Sequence, residues 1–166
     1  MSRLYVVGGQ QRVARALRDH GNDDWYEYGK GVILEVDPAR GDVRVAAEYV
    51  SPPEVCAPER PQVLFKSATL VDGVLYASTM TEVMTFRLPD LARPVLHLSL
   101  PCMNDVHHVR PLPNGNLLVA NSGLDSCLEL AADGTLVHVW STLGEDPWAR
   151  FDRGVDYRMV STKPHR

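Results

Sequence analysis

The densest group of side chains able to do chemistry is Asn104-Asp105-Val106-His107-His108, followed one hairpin later by Asn121-Ser122-Gly123. Asp105 offers a carboxylate, Asn104 and Asn121 offer amide oxygens, and either histidine offers an imidazole that titrates near neutral pH. Carboxylate and amide oxygens suit a hard divalent cation such as calcium, which makes Asp105 and Asn104 the expected metal ligands. An imidazole beside them is expected to serve as general base or as ligand to a softer metal. Successive residues of a strand face opposite sides, so only one of His107 and His108 can share a site with the others. The same residues also admit a plainer reading, in which Asn104 and Asp105 build a turn and the histidines bond within a sheet.

These groups need a scaffold, and the surrounding sequence announces one. Between Pro61 and Leu143, short runs rich in Val, Leu and Tyr alternate with Asp72-Gly73, Asn114-Gly115 and Asp133-Gly134. Such dipeptides supply the positive φ that tight hairpins demand, so each predicts a hairpin and the region reads as all-β. Gly73 and Gly115 lie 42 positions apart, and their surroundings align without a gap: Leu75 with Leu117, Ala77 with Val119, Phe86 with Leu128 and Leu88 with Leu130. A period in the low forties with four strands per unit is the length of a β-propeller blade. The same offset sets His108 on Lys66 and His107 on Phe65, which selects His108 as the axial histidine. On that basis His108 is the expected general base, and Lys66 the group that offsets developing negative charge. Asn104, Asn121 and His107 are expected to orient a substrate.

Blades are expected at about 62–100 and about 104–143, with a less regular unit at about 4–50. That earlier unit carries the second, third and fourth strands of a blade, an insertion at 10–28, and no innermost strand. The segment 144–166 follows. The fold class expected is therefore all-β, about three four-stranded antiparallel blades in one domain, a half-propeller. Closed propellers have roughly 4 to 8 blades, so this one is expected to close by oligomerisation, as a homodimer or with a separately encoded second half. A small β-sandwich needing no partner is the alternative.

The stretch from His107 to Asn121, with Leu112-Pro113-Asn114-Gly115-Asn116 at its turn, resembles a blade motif of arylsulfotransferase-like propellers. Asn104-Asp105-Val106 with Asn121-Ser122-Gly123 resembles channel-facing segments of the gluconolactonase, paraoxonase and strictosidine-synthase-like six-bladed propellers. The resemblance covers one blade. It implies hydrolase or lyase chemistry on small molecules around a central divalent cation, with further acidic ligands drawn from other blades.

Composition narrows the rest. A net charge of −4 supplies no basic field for phosphates, so nucleic acid is not an expected partner. No run approaches the roughly 18 apolar residues of a membrane span, and the opening apolar run is too short for a signal peptide, so a cytoplasmic protein is expected. Cys56, Cys102 and Cys127 lack CxxC spacing and read as reduced core thiols. Leu4-Tyr5-Val6-Val7-Gly8-Gly9 superficially opens like a nucleotide-binding βαβ unit, but no parallel alternation follows it. Trp25-Tyr26-Glu27-Tyr28 is a candidate cover for the channel mouth. The sequence thus supports a propeller half acting on, or binding, a small molecule at the axis, with a non-catalytic binding or assembly module as the alternative.

Overall fold

A computed structural model describes residues 3–12, 28–59, 61–141 and 152–160. Eleven strands form three antiparallel sheets among these residues. The first sheet contains β1 (Leu4–Gln11), β2 (Tyr28–Asp37) and β3 (Asp42–Tyr49) in that order. The second contains β4 (Ser67–Val71), β5 (Val74–Ser78), β6 (Val83–Arg87) and β7 (Leu96–Leu98). The third contains β8 (Val106–Pro111), β9 (Leu117–Asn121), β10 (Ser126–Leu130) and β11 (Leu136–Ser141). Each sheet is a meander in which sequence neighbours are hydrogen-bonded neighbours.

The turns form where the chain can reach positive φ. Asp72 and Gly73 are both left-handed, at 49° and 75°, and join β4 to β5 directly. Gly41, Gly115 and Gly134 do the same work in the other sheets. The repeat holds at 42 residues for the second strand of each unit but not on either side of it: the first strands are offset by 41, since Leu70 pairs with Leu75 and Pro111 with Leu117. Leu75 pairs with Phe86, whereas Leu117 pairs with Leu130, so Phe86 corresponds to Leu130 and not to Leu128. The β9–β10 hairpin carries one more cross-strand pair, Asn121 with Ser126, and this adds two residues. A slip of two preserves the inward and outward alternation, so the core survives it.

The sheets stack face on face. Leu75, Ala77, Met84 and Phe86 of the second sheet pack against Tyr5, Val7, Ile33 and Ala47 of the first. The opposite face of the second sheet, with Tyr76, Val83, Leu96 and Leu98, packs against Val109, Leu117, Val119, Leu128 and Leu130 of the third. The middle sheet is thus buried on both sides, and β6 reads as four consecutive buried residues, Val83 to Phe86. The first strands of successive units also meet, β4 lying beside β8.

The three-stranded sheet is placed by where β3 ends. Beyond Tyr49 the chain bonds to the β5–β6 turn through Ser51 and Glu82, just as the segment after β7 bonds to the β9–β10 turn through Asn104, Asn121 and Gly123. β3 therefore occupies the last position of its unit, and β1 the second. Among the described residues no strand pairs with the outer edge of β1.

Candidate functional site

Lys66, Asp105 and His107 converge at the beginnings of β4 and β8. Lys66 is anchored by its own backbone N–H, which donates to Ser78 O at 2.8 Å and starts the β4 pairing. Asp105 precedes β8 in the left-handed region, with φ of 49°, a conformation that aspartate tolerates better than most residues. Val106 N–H then donates to Met80 O at 2.9 Å, tying the start of β8 to the turn of the neighbouring sheet. These anchors fix the three side chains relative to each other.

The Lys66 ammonium donates to Asp105 Oδ1, and its Nζ lies 2.8 Å from His107 Nε2. His107 Nε2 is in turn 3.3 Å from Asp105 Oδ2. The Lys66 side chain is only 9% exposed, whereas that of His107 is 48% exposed, so the imidazole is the member that faces solvent. With Nε2 accepting from Lys66 the imidazole is neutral; with Nε2 protonated it turns its proton to Asp105. The arrangement can hold a proton, and it places a cation and a carboxylate beside an accessible ring nitrogen.

His107, not His108, joins Lys66. A β-bulge falls between Val106 and His108, where the register of β8 against β9 shifts, and the extra residue turns His107 towards Lys66. His108 lies instead with its Nε2 3.2 Å from Thr69 Oγ1. The ungapped repeat aligned His108 with Lys66 because the turn between β8 and β9 is one residue longer than that between β4 and β5, so that Ser67 corresponds to His108 and Lys66 to His107.

Asn104 and Asn121 are not disposed to bind a substrate. Both are buried, and their amides are committed to the chain itself. Asn121 Oδ1 accepts from Asn104 N–H at 2.8 Å, while its Nδ2 donates to Cys102 O at 2.9 Å and to Ser126 Oγ at 3.1 Å. Asn104 Nδ2 donates to Tyr157 O at 2.7 Å and Val160 O at 3.2 Å, which ties the segment 152–160 down beside the loop that precedes β8. These amides stand in for the backbone partners that an irregular loop lacks.

The expected cation does not suit this donor set. One oxygen of Asp105 is taken by an ammonium, a second positive charge would be repelled there, and Asn104 Oδ1 lies packed against Gly123. No group of three or more His, Cys, Asp or Glu side chains that could hold a metal occurs among the described residues. The aromatic residues Trp25 to Glu27 lie outside the described residues, and Tyr28 opens β2.

A second polar cluster was not read from the sequence. Glu82, fully buried in the β5–β6 turn, accepts from Tyr49 Oη, Ser51 Oγ and Thr79 Oγ1 and meets His97 Nε2 at 2.8 Å. Burial pushes this carboxyl up, but the bonds led by His97 outweigh it and hold it below its ordinary range. The bond to Glu82 raises His97 in turn, against burial. Tyr49, half-buried beside the carboxylate, is raised by desolvation and by its bond to Glu82. With no solvent-exposed atom on Glu82, the cluster fastens the first sheet to the second and is not a binding site. The only sequence signal was Thr79-Met80-Thr81-Glu82, which looks like an ordinary polar turn.

The cysteines are free thiols, Cys56 and Cys102 buried and Cys127 half-buried. Burial pushes the Cys56 and Cys102 thiols up, away from the reactive thiolate. No helix among the described residues is long and apolar enough to cross a membrane.

Solved structures with the same arrangement of sheets settle what the stack is. The C-terminal WD40 domain of Sif2 superposes with a TM-score of 0.50 at 9% identity, covering 68% of this chain and 31% of that one. The fold is a partial β-propeller. The WD40 domain of Neurospora crassa Pan2 gives a TM-score of 0.48 at 15% identity, covering 69% of this chain and 33% of that one. Virginiamycin B lyase from Staphylococcus aureus gives 0.43 at 12%, covering 84% and 46%. The chain spans about a third of the WD40 domains it matches. At such identities the likeness is one of fold and does not distinguish among the propeller families that the sequence resembles. No family model matches the chain, and no curated protein matches its sequence.

Proposed function

We propose that the chain works as three blades of a closed propeller ring and that the ring binds a small polar molecule at its axial mouth. The observation that carries the binding site is the meeting of Lys66, Asp105 and His107 at the starts of β4 and β8, with the imidazole exposed and the ammonium held beneath it. First strands of blades border the axis, so these groups face the space that a closed ring would enclose. A cation and an imidazole next to one carboxylate favour a ligand bearing a carbonyl, carboxylate or ester oxygen.

The same geometry supports a catalytic reading, hydrolase or lyase chemistry on the bound molecule. His107, steadied by Asp105, would take up a proton, and Lys66 would offset negative charge developing on the substrate oxygen. Roles thus pass from His108 to His107, while Lys66 keeps its own. The binding-only reading differs in a single respect, the absence of turnover.

The test is to titrate the chain with a library of small lactones, esters and carboxylates while following the imidazole proton resonances of His107 and His108 by NMR. Binding at the mouth shifts His107, leaves His108 nearly still, and is abolished in Lys66→Met. A library that moves neither resonance refutes the site. Chemical conversion of the bound member, lost in His107→Ala, separates an enzyme from a binding module.

A further inference from the structure

Two blade faces have no partner among the described residues, and they differ in kind. The first sheet shows solvent Leu4, Val6, Val43 and Val45, at 53%, 49%, 60% and 54% exposure, with Val32 and Leu34 between them on the same face. The groove across it has a volume of about 360 Å³ and is lined also by Gly8, Gly9 and Glu48. The far face of the third sheet presents Leu118, Ala120, Cys127 and Trp140 with Arg110 and Glu129. Trp140 is 44% exposed. The apolar face of the first sheet is of the kind that marks an interaction surface.

The joints within the chain show what each face fits. In both, the leading face of a blade has an apolar centre, Leu75, Ala77 and Phe86 in one and Leu117, Val119 and Leu128 in the other, with polar groups at its margin, His97 in one and Asn121 and Ser126 in the other. In both, the trailing face of the preceding blade includes a tyrosine, Tyr5 in the first joint and Tyr76 in the second. The first sheet uses its trailing face on the second, so its open face is a leading one. The third uses its leading face on the second, so its open face is a trailing one, on which Leu118, Ala120 and Trp140 stand among His108, Arg110, Glu129 and His138. The chain therefore carries both halves of one more joint, at opposite ends.

We infer that the occupant of the open first-sheet face is the open third-sheet face of a second copy, so that two chains close head to tail into six blades through two equivalent joints. This rests on the ring-closure reading above and names its partner and surfaces. Twofold symmetry satisfies both joints at once, because each copy gives one face and receives the other. The aliphatic surface removed from water supplies the driving force.

Sedimentation of the full chain and of two variants tests it. The wild type should have a mass twice the 18.5 kDa of one chain. Val45→Asp and Leu118→Lys should each weaken the dimer about 100-fold or more by burying an unpaired charge in both joints. An equimolar mixture of the two variants should recover dimer, since one joint is then wild type on both sides and the other brings the opposite introduced charges together. Trp140→Lys replaces Leu118→Lys if far-ultraviolet circular dichroism shows that the latter does not fold. A dimer broken by Val45→Asp but untouched by Leu118→Lys and Trp140→Lys would mean that first sheets meet each other, overturning the head-to-tail joint. A wild-type monomer that binds anilinonaphthalene sulfonate, and loses it in Val45→Asp, would overturn the second copy and leave closure with a different chain. A monomer that binds no dye would overturn both.

Discussion

Glu82 is the residue on which the first and second sheets are pinned, and its removal is the most severe single change among the polar groups. Glu82→Ala leaves Tyr49, Ser51, Thr79 and His97 without their common acceptor, and is expected to cost about 3–5 kcal/mol. Urea unfolding of the variant measures this directly; a loss below about 1 kcal/mol would mean that the cluster is not the pin. Its pH dependence has a defined sign. His97 is raised in the folded chain, so its contribution is full below the ordinary imidazole value of about 6.5 and is lost as pH rises through the raised value. Glu82 is lowered, so its contribution is present above the ordinary carboxyl range and is lost as pH falls through the depressed value. The fall in unfolding midpoint on the alkaline side should accordingly be smaller in His97→Phe than in the wild type. Identical profiles would dissociate the fall from His97. At this scale the sequence was only partly legible. Asp105 and Lys66 were read as site residues from their types and offset, and they do meet. His107 stands where His108 was expected because one turn is a residue longer than its counterpart, and Glu82 was hidden because a buried acceptor in a turn looks the same in sequence as a solvated one.

Hairpins were the most legible elements, since Asp72-Gly73 and Gly115 sit where only residues that accept positive φ close a two-strand turn tightly. The loop between β9 and β10 was less so. Gly123 there lies against the loop before β8, and a Cβ on it would fall 2.7 Å from the Asn104 carbonyl oxygen and closer still to the Asn104 side chain. Gly123→Ala should destabilise the chain by about 1–3 kcal/mol through this overlap, read as a lower thermal midpoint. Because Asn104 also holds Tyr157 and Val160, the same variant should expose the segment 152–160 to protease before the blades themselves unfold. Cleavage in that segment at the wild-type rate would show that it is held by something else. Sequence spacing suggested polar groups at this loop available for chemistry. Most of their hydrogen-bond partners arrive from 17 to 56 residues away, are invisible to local pattern, and convert them into structural groups.

For the molecule as a whole, the repeat length and the count of strands carried the fold through to three stacked sheets; a slip of two residues in the third strands keeps each side chain on its own face, whereas a slip of one in the first strands exchanges the faces of His107 and His108. Which surfaces remain uncovered could not be read from alternation alone. Leu4, Val6, Val43 and Val45 alternate like core residues, and the structure leaves them on the outside. The same exposure makes substitution there informative, since Val45→Ser should leave the far-ultraviolet circular dichroism of the chain unchanged while shifting the assembly towards smaller mass in sedimentation; an unchanged mass would mean that nothing covers the face. The most direct measurement of the central claim is the solution mass of the wild-type chain by light scattering over a hundredfold dilution. A ring of blades predicts a discrete assembly larger than the 18.5 kDa chain that persists at micromolar concentration. A stable, fully folded monomer across the whole range, with its first sheet indifferent to apolar dye, would contradict it.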